Sequence, residues 1–253
     1  MQARLIIDGA RGARANFALE EALLRENRAV ILRLWENERS VIIGRAQLAR
    51  FETDLGRCEK EGVPVVRRVT PGGAIYNGPG NINWSIFLAK ESGAGDLRYR
   101  WGVREVFRMA AGVVVRATEA CGVRTWLEEP NRILSAGGKV SGMAAYISSS
   151  GLLCHGTLLL DADLAEAASF TQPAGVTLER RYTRSMATKI ANTGIRPDAF
   201  IDSMRRVVEQ ELGARVESGL PTDDELRSME GLLPKYNDEA WNLGDPFAGD
   251  RHE

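Results

Sequence analysis

The chain has 253 residues, 44% hydrophobic and 26% charged, a composition that excludes a disordered, collagenous or coiled-coil chain. Its 33 basic and 34 acidic residues leave a net charge of −1, so a global basic field for nucleic acid is absent. Three scattered cysteines (Cys58, Cys121, Cys154) and two histidines (His155, His252) give no zinc spacing, no disulfide framework and no site of several imidazoles.

The opening MQARLIIDGARGARANF lacks a basic-then-apolar signal pattern, and no apolar run reaches membrane-spanning length. A cytoplasmic protein with no membrane partner is the expectation. Asn16 to Leu24 has apolar residues at helical spacing, with Asn16 as the expected N-cap. Ala29 to Trp35 and Ser40 to Gly44 read as two strands, and their closeness suggests an antiparallel hairpin. Phe51 to Glu61 looks helical. Pro64 to Val69 is a strand that enters a glycine cluster spanning Pro71 to Gly80, and Ile82 to Leu88 leaves it as another.

Tyr99 to Cys121 predicts a long amphipathic helix with Val103, Val106, Phe107, Ala110, Val113, Val114 and Ala117 in its stripe. Arg132 to Ala136, Lys139 to Ile147 and Leu152 to Leu160 read as short strands joined by tight turns. Such a meander favours an α+β fold with mixed, largely antiparallel sheets flanked by helices. Pro197 starts a helix stopped by Gly213, and Thr222 to Glu225 is a capping box for another. We read residues 1–195 as the main domain and 196–253 as a helical segment packed on it.

Common nucleotide signatures are missing: Gly137-Gly138-Lys139-Val140 lacks the leading P-loop glycine and the hydroxyl residue after the lysine. No glycine pattern around a serine suggests a hydrolase elbow. Arg67-Arg68-Val69-Thr70-Pro71-Gly72-Gly73 places two arginines at the end of a strand before a small-residue loop. Glycine amides and an arginine fork suit an anion, and a β-turn flanked by surface arginines suits the spacing equally well. Lys139 either neutralises charge on a carboxylate or phosphate or points into water from a turn. Cys154 and His155 are adjacent on a strand and face opposite ways, so they are no Cys–His dyad.

Together these segments resemble the lipoate–protein ligase A family of the biotin/lipoyl protein ligase fold. The resemblance is carried by NFALEEALL (16–24), SVIIGRAQ (40–47), RRVTPGGAIYNGPGN (67–81) and NRILSAGGKVSGMAAYISSSGLLCHGT (131–157), and more weakly by 184–192 and 236–243. It implies activation of lipoate with ATP and Mg²⁺ to lipoyl-AMP, then transfer to a lysine of a lipoyl carrier domain. By position, Lys139 is the catalytic lysine that bridges the lipoyl carbonyl and the phosphate. The nucleotide and adenylate site would comprise Arg68, Gly72, Gly73, Ala74, Ile75, Tyr76, Asn81, Lys139, Gly142 and Ala144. His155, Gly156 and Thr157 are further candidates, and metal ligands are unassigned.

Several positions depart from the family pattern. Pro71 stands for a glycine, Arg132 for an aspartate, and Asn77-Gly78 for a His-Asp pair. The chain is too short for the C-terminal accessory domain of larger members, so a separate accessory protein is a candidate partner. An octanoyl or lipoyl transferase that forms a cysteine thioester is the competing enzyme reading, and a non-catalytic lipoate-binding protein is the third.

Overall fold

The computed structural model describes residues 2–89, 102–171, 179–213 and 215–248. Its strands are β1 (Gln2–Arg11), β2 (Val30–Asn37), β3 (Ser40–Ile43), β4 (Val65–Arg67), β5 (Ile75–Asn77), β6 (Asn81–Ala89), β7 (Trp126–Glu128), β8 (Arg132–Ser135), β9 (Gly138–Ile147), β10 (Gly151–Leu159) and β11 (Arg215–Ser218). Its α-helices are α1 (Ala13–Arg25), α2 (Leu55–Lys60), α3 (Val103–Ala120), α4 (Leu164–Phe170), α5 (Pro197–Leu212), α6 (Asp223–Asn237) and α7 (Glu239–Leu243). Eight strands form one sheet in the order β11-β1-β2-β6-β10-β9-β8-β7, and three form a second in the order β4-β3-β5. The large sheet is antiparallel from β2 to β7 and parallel where β1 meets β2 and β11. This is the mixed α+β architecture expected from the meander.

Alternation along β10 decides what each face packs against. Leu152, Cys154 and Leu158 enter the core formed with α3 and α5, where Val106, Val114, Phe200 and Met204 are buried. Leu153 packs on the opposite face with Leu19 and Leu23 of α1. Helix α5 starts at Pro197 and ends at Gly213, whose φ of 56° is the left-handed conformation that glycine adopts without penalty. The Thr222–Glu225 capping box starts α6, which packs on α1: Tyr236 is fully buried and its hydroxyl donates to Glu21 at 2.7 Å.

Three expectations are corrected. Gly12, not Asn16, caps α1; Asn16 is buried one turn in, donating to Asn37 Oδ1 and accepting from Arg33 Nη2. β2 and β3 form no hairpin, because β1 and β6 already occupy both edges of β2, and β3 instead starts the small sheet. The 51–61 helix is a 3-10 turn at Ala49–Phe51 followed by α2. Strands β1, β5, β7 and β11 carry too weak an alternation to be read locally. β11 places a strand inside the C-terminal segment, paired with β1. The 99–102 start of the long helix lies at or before its observed first residue, and residues 99–101 and His252 lie outside the described residues.

Candidate active site

A cleft of about 340 Å³ opens on the α1 face of the large sheet, against the small sheet. Its floor consists of cross-strand rows. Trp35 of β2 pairs with Asn83 of β6, Asn83 with Thr157 of β10, Thr157 with Gly142 of β9, and Gly142 with Arg132 of β8. All five line the cleft. The next row carries Ser85, His155 and Ala144. Residues directly opposite one another share a face, so five strands deliver these side chains together.

Lys139 reaches this face through an irregularity. Strict alternation from Gly142 would place position 139 on the far side of β9. The register with β8 shifts between Ile133 and Leu134, so that Ile133 pairs with Ser141 and Leu134 with Lys139. The bulge leaves Val140 in the α3 core and turns Lys139 into the cleft. A Cβ at position 142 would lie 2.9 Å from Lys139 Nζ, so the glycine makes room for the ammonium. Backbone bonds from Lys139 N–H to Lys189 O and from Ala191 N–H to Lys139 O hold the strand in place. Burial, Arg132 and Arg68 all pull the Lys139 ammonium below its ordinary pKa, and among the described residues no carboxylate pairs with it.

The glycine loop forms the facing wall. Gly72, at φ 111°, sits so close to Gly44 that a side chain at 44 would overlap its carbonyl. Arg68 shapes this loop from within. Its Nη2 donates to Pro71 O at 3.0 Å and Gly73 O at 2.9 Å, and its Nε donates to Thr70 Oγ1 at 3.0 Å. The fork expected to be free for phosphate is therefore largely engaged by the chain's own carbonyls. From the other side, Ser185 Oγ accepts from Ala74 N–H at 2.7 Å and Gln47 Nε2 at 3.1 Å.

At the inner end lie Phe17, Trp35 and His155, with Phe17 edge-on to both the indole and the imidazole. His155 is satisfied on both ring nitrogens: Nδ1 meets Glu20 at 2.8 Å and Nε2 meets Thr70 Oγ1 at 2.8 Å. Burial alone would raise the Glu20 carboxyl, but His155, Ser85 and Arg33 outweigh it and hold the pKa below its ordinary value.

Of the residues expected from sequence, Arg68, Gly72, Gly73, Ala74, Ile75, Lys139, Gly142, Ala144, His155, Gly156 and Thr157 line the cleft. Tyr76 and Asn81 do not. Tyr76 follows Ile75 on β5 and so points the other way, stacked on Phe170 at 5.3 Å. Asn81 donates to Tyr76 O at 3.1 Å and closes the turn behind it. Phe17, Trp35, Asn83, Arg184, Ser185, Met186 and Thr188 were not anticipated as walls. The weak family likeness of 184–192 was the available signal for the last four. None of the three cysteines lines the cleft, and burial pushes the Cys154 thiol far above its ordinary pKa.

Among the described residues, the cleft walls carry Arg68, Arg132, Lys139 and Arg184 and no aspartate or glutamate. Among the described residues no cluster of three His, Cys, Asp or Glu is placed to hold a metal ion, and no helix is long and apolar enough to cross a membrane.

The sequence profile of the lipoyl protein ligase A/B catalytic domain matches residues 12–212. A relative from Aeropyrum pernix is 36% identical over 151 residues, covering 58% of this chain and 54% of that protein. The "Probable lipoate-protein ligase A" of Mycoplasma pneumoniae is 30% identical over 181 residues, 70% of this chain and 51% of that protein. The matched stretch thus spans about half the length of these two relatives. Lipoate-protein ligase A subunit 1 of Thermoplasma acidophilum is 26% identical over 263 residues, covering 96% of this chain and 97% of that protein. Among solved structures, a bi-partite lipoate protein ligase described with its E2 lipoyl domain from T. acidophilum superposes with a TM-score of 0.81 at 26% identity, over 96% of this chain and 97% of that one. A lipoate-protein ligase A bound with ATP superposes with a TM-score of 0.82 at 25% identity, over 96% and 99%.

Proposed function

The chain belongs to the lipoyl protein ligase A/B catalytic-domain family, and on that premise we propose that it is an ATP-dependent lipoate–protein ligase. In the first step a lipoate carboxylate oxygen attacks the α-phosphorus of ATP, the bond to the leaving pyrophosphate breaks, and lipoyl-AMP forms. In the second step the neutral amine of a carrier lysine attacks the acyl carbon, and AMP leaves. The observation that carries this reading is the placement of Lys139 beside Arg68 and Arg132 in a cleft whose described walls hold no carboxylate.

Bringing a carboxylate to a triphosphate concentrates negative charge at their junction. Among the described residues Lys139 has no acidic partner to neutralise first, so its ammonium is preorganised for that charge. An anion bound beside it would also restore the proton affinity that burial lowers. The Phe17–Trp35 end suits the apolar acyl chain, while the glycine loop borders the polar end.

Magnesium, which the family resemblance implies, finds no protein cage among the described walls, since they offer no carboxylate. Magnesium is often held largely by substrate phosphates and water.

The partner in the second step is a lipoyl carrier domain that presents a lysine. The two-part architecture of the T. acidophilum ligase and the half-length match to two other relatives support a separate accessory polypeptide as a second partner. The cysteine positions weigh against a thioester transferase. The deciding assay is formation of AMP and lipoylated carrier from lipoate, ATP and a lipoyl domain, with and without an accessory protein. Lipoate binding without AMP formation under either condition would leave a non-catalytic binding protein. ATP-independent acyl transfer would leave a transferase.

A further inference from the structure

A chain of buried hydrogen bonds joins the two ends of the cleft. It begins at Glu20 on α1, which accepts from Ser85 Oγ at 2.7 Å and approaches His155 Nδ1 with its two oxygens at 2.8 and 2.9 Å. It passes through the imidazole to Thr70, whose Oγ1 lies 2.8 Å from His155 Nε2. Arg68 Nε then reaches the same oxygen at 3.0 Å, and Arg68 Nη2 holds the carbonyls of Pro71 and Gly73. Thr70 is fully buried and is not itself a wall of the cleft.

Arg68 can only donate, so Thr70 Oγ1 accepts from it. The same oxygen meets His155 Nε2, and His155 Nδ1 meets the Glu20 carboxylate. Thr70 is the joint that a non-hydroxyl residue cannot supply, because one oxygen must meet both the guanidinium and the imidazole. Its backbone is fixed as well, since Arg45 N–H donates to Thr70 O at 2.9 Å.

We infer that Thr70 is a positioning residue that ties the glycine loop, through Arg68, to the Glu20–His155 pair at the apolar end, so that both ends of the cleft share one hydrogen-bonded frame. The part of this inference that assigns the loop to the nucleotide rests on the function proposed above. The frame itself does not. Without the Thr70 hydroxyl, Arg68 loses the contact that aims its Nη2 at the loop carbonyls. His155 keeps both contacts to Glu20, so the apolar end is disturbed less.

The test compares wild type, Thr70→Val and Thr70→Ser in two measurements. The first is amide hydrogen exchange without substrates, read at residues 72–76, with β6 and β10 as internal reference. The second is ATP and lipoate binding by calorimetry. Thr70→Val should speed loop exchange at least tenfold with the reference strands unchanged. It should weaken ATP about tenfold and lipoate less than twofold, and Thr70→Ser should restore both. Unchanged loop exchange in Thr70→Val overturns the frame, as does a Thr70→Ser protein as impaired as Thr70→Val, which would show that a hydroxyl at this position is not enough to hold the loop. Faster loop exchange in a protein that binds no ATP upholds the frame and removes the ligase reading. If Thr70→Val does not fold, Glu20→Gln, two links back through His155, carries the same loop-exchange expectation.

Discussion

Arg67 and Arg68 are adjacent, both buried, and project to opposite sides of the chain at the end of β4. Arg68 turns toward the cleft and holds the glycine loop. Arg67 turns away and donates to Trp241 O, Arg45 O, Gln47 O and Gly244 O at 2.6 to 2.9 Å. It thereby ties the C-terminal turn around α7 to the loop after β3. One dipeptide thus divides into a group that shapes the site and a group that anchors the chain's end.

The two arginines should fail differently. Arg67→Ala leaves several buried carbonyls without a donor and should cost about 3–5 kcal/mol, read as a fall in the thermal midpoint. Arg68→Ala should weaken ATP binding at least tenfold, with a smaller loss of stability. Arg68→Lys should recover only part of that affinity, because an ammonium cannot span Thr70 and two carbonyls. Equal effects of the two alanine variants on ATP affinity would refute this division.

Lys139→Met should reduce adenylate formation by about 3 kcal/mol in transition-state stabilisation, roughly a hundredfold in rate. It should also change the pH dependence of stability. Because the folded-state pKa of Lys139 lies below its ordinary value of 10.5, the unfolded chain binds more protons in the window between them. Wild-type stability therefore gains from this group as pH rises through that window. Lys139→Met should be the more stable protein at pH 7, with the gap closing toward pH 10.5 in thermal melts.

Gly142→Ala tests the bulge geometry. Its new Cβ would meet Lys139 Nζ at 2.9 Å and Cε at 3.0 Å, both at the end of a flexible side chain. The protein should fold with little loss of stability, while displacement of the ammonium lowers the rate of adenylate formation at least tenfold. Wild-type turnover in this variant would show that the ammonium position is not critical.

The cysteines should be dispensable for turnover. Cys154 faces the α3 and α5 core, Cys58 bonds Thr53 within the small-sheet cluster, and Cys121 lies at the end of α3. Single serine variants should retain lipoylation activity, with Cys154→Ser costing stability because it places a hydroxyl in the core. Loss of activity together with a trapped acyl-thioester by mass spectrometry would instead establish the transferase route.

Local pattern was sufficient for much of this protein. The α5 boundaries follow from Pro197 and Gly213, the α6 start from its capping box, and the β8–β10 meander from alternation and tight turns, because these signals act within a few residues. The Arg-Arg-glycine stretch and Lys139 became candidates for an anion through the family resemblance, since their local spacing suits surface turns as well. Opposite orientation of Cys154 and His155 follows from the period of a strand alone.

Only the tertiary structure decided which residues meet. The β2–β3 pairing failed because β1 and β6 took both edges of β2, a competition between segments far apart in sequence. Lys139 reaches Gly142 only through a bulge against β8, which no local periodicity announces. Tyr76 left the cleft because Ile75 claimed the inward side of a three-residue strand too short to show alternation. Ser185 and Arg184 approach the glycine loop from a stretch without regular structure. The Arg68 fork looked free for a ligand until the loop carbonyls were seen to fill it. In each case the deciding term is a contact between segments remote in the chain, and the sequence around one residue holds no record of what folds against it.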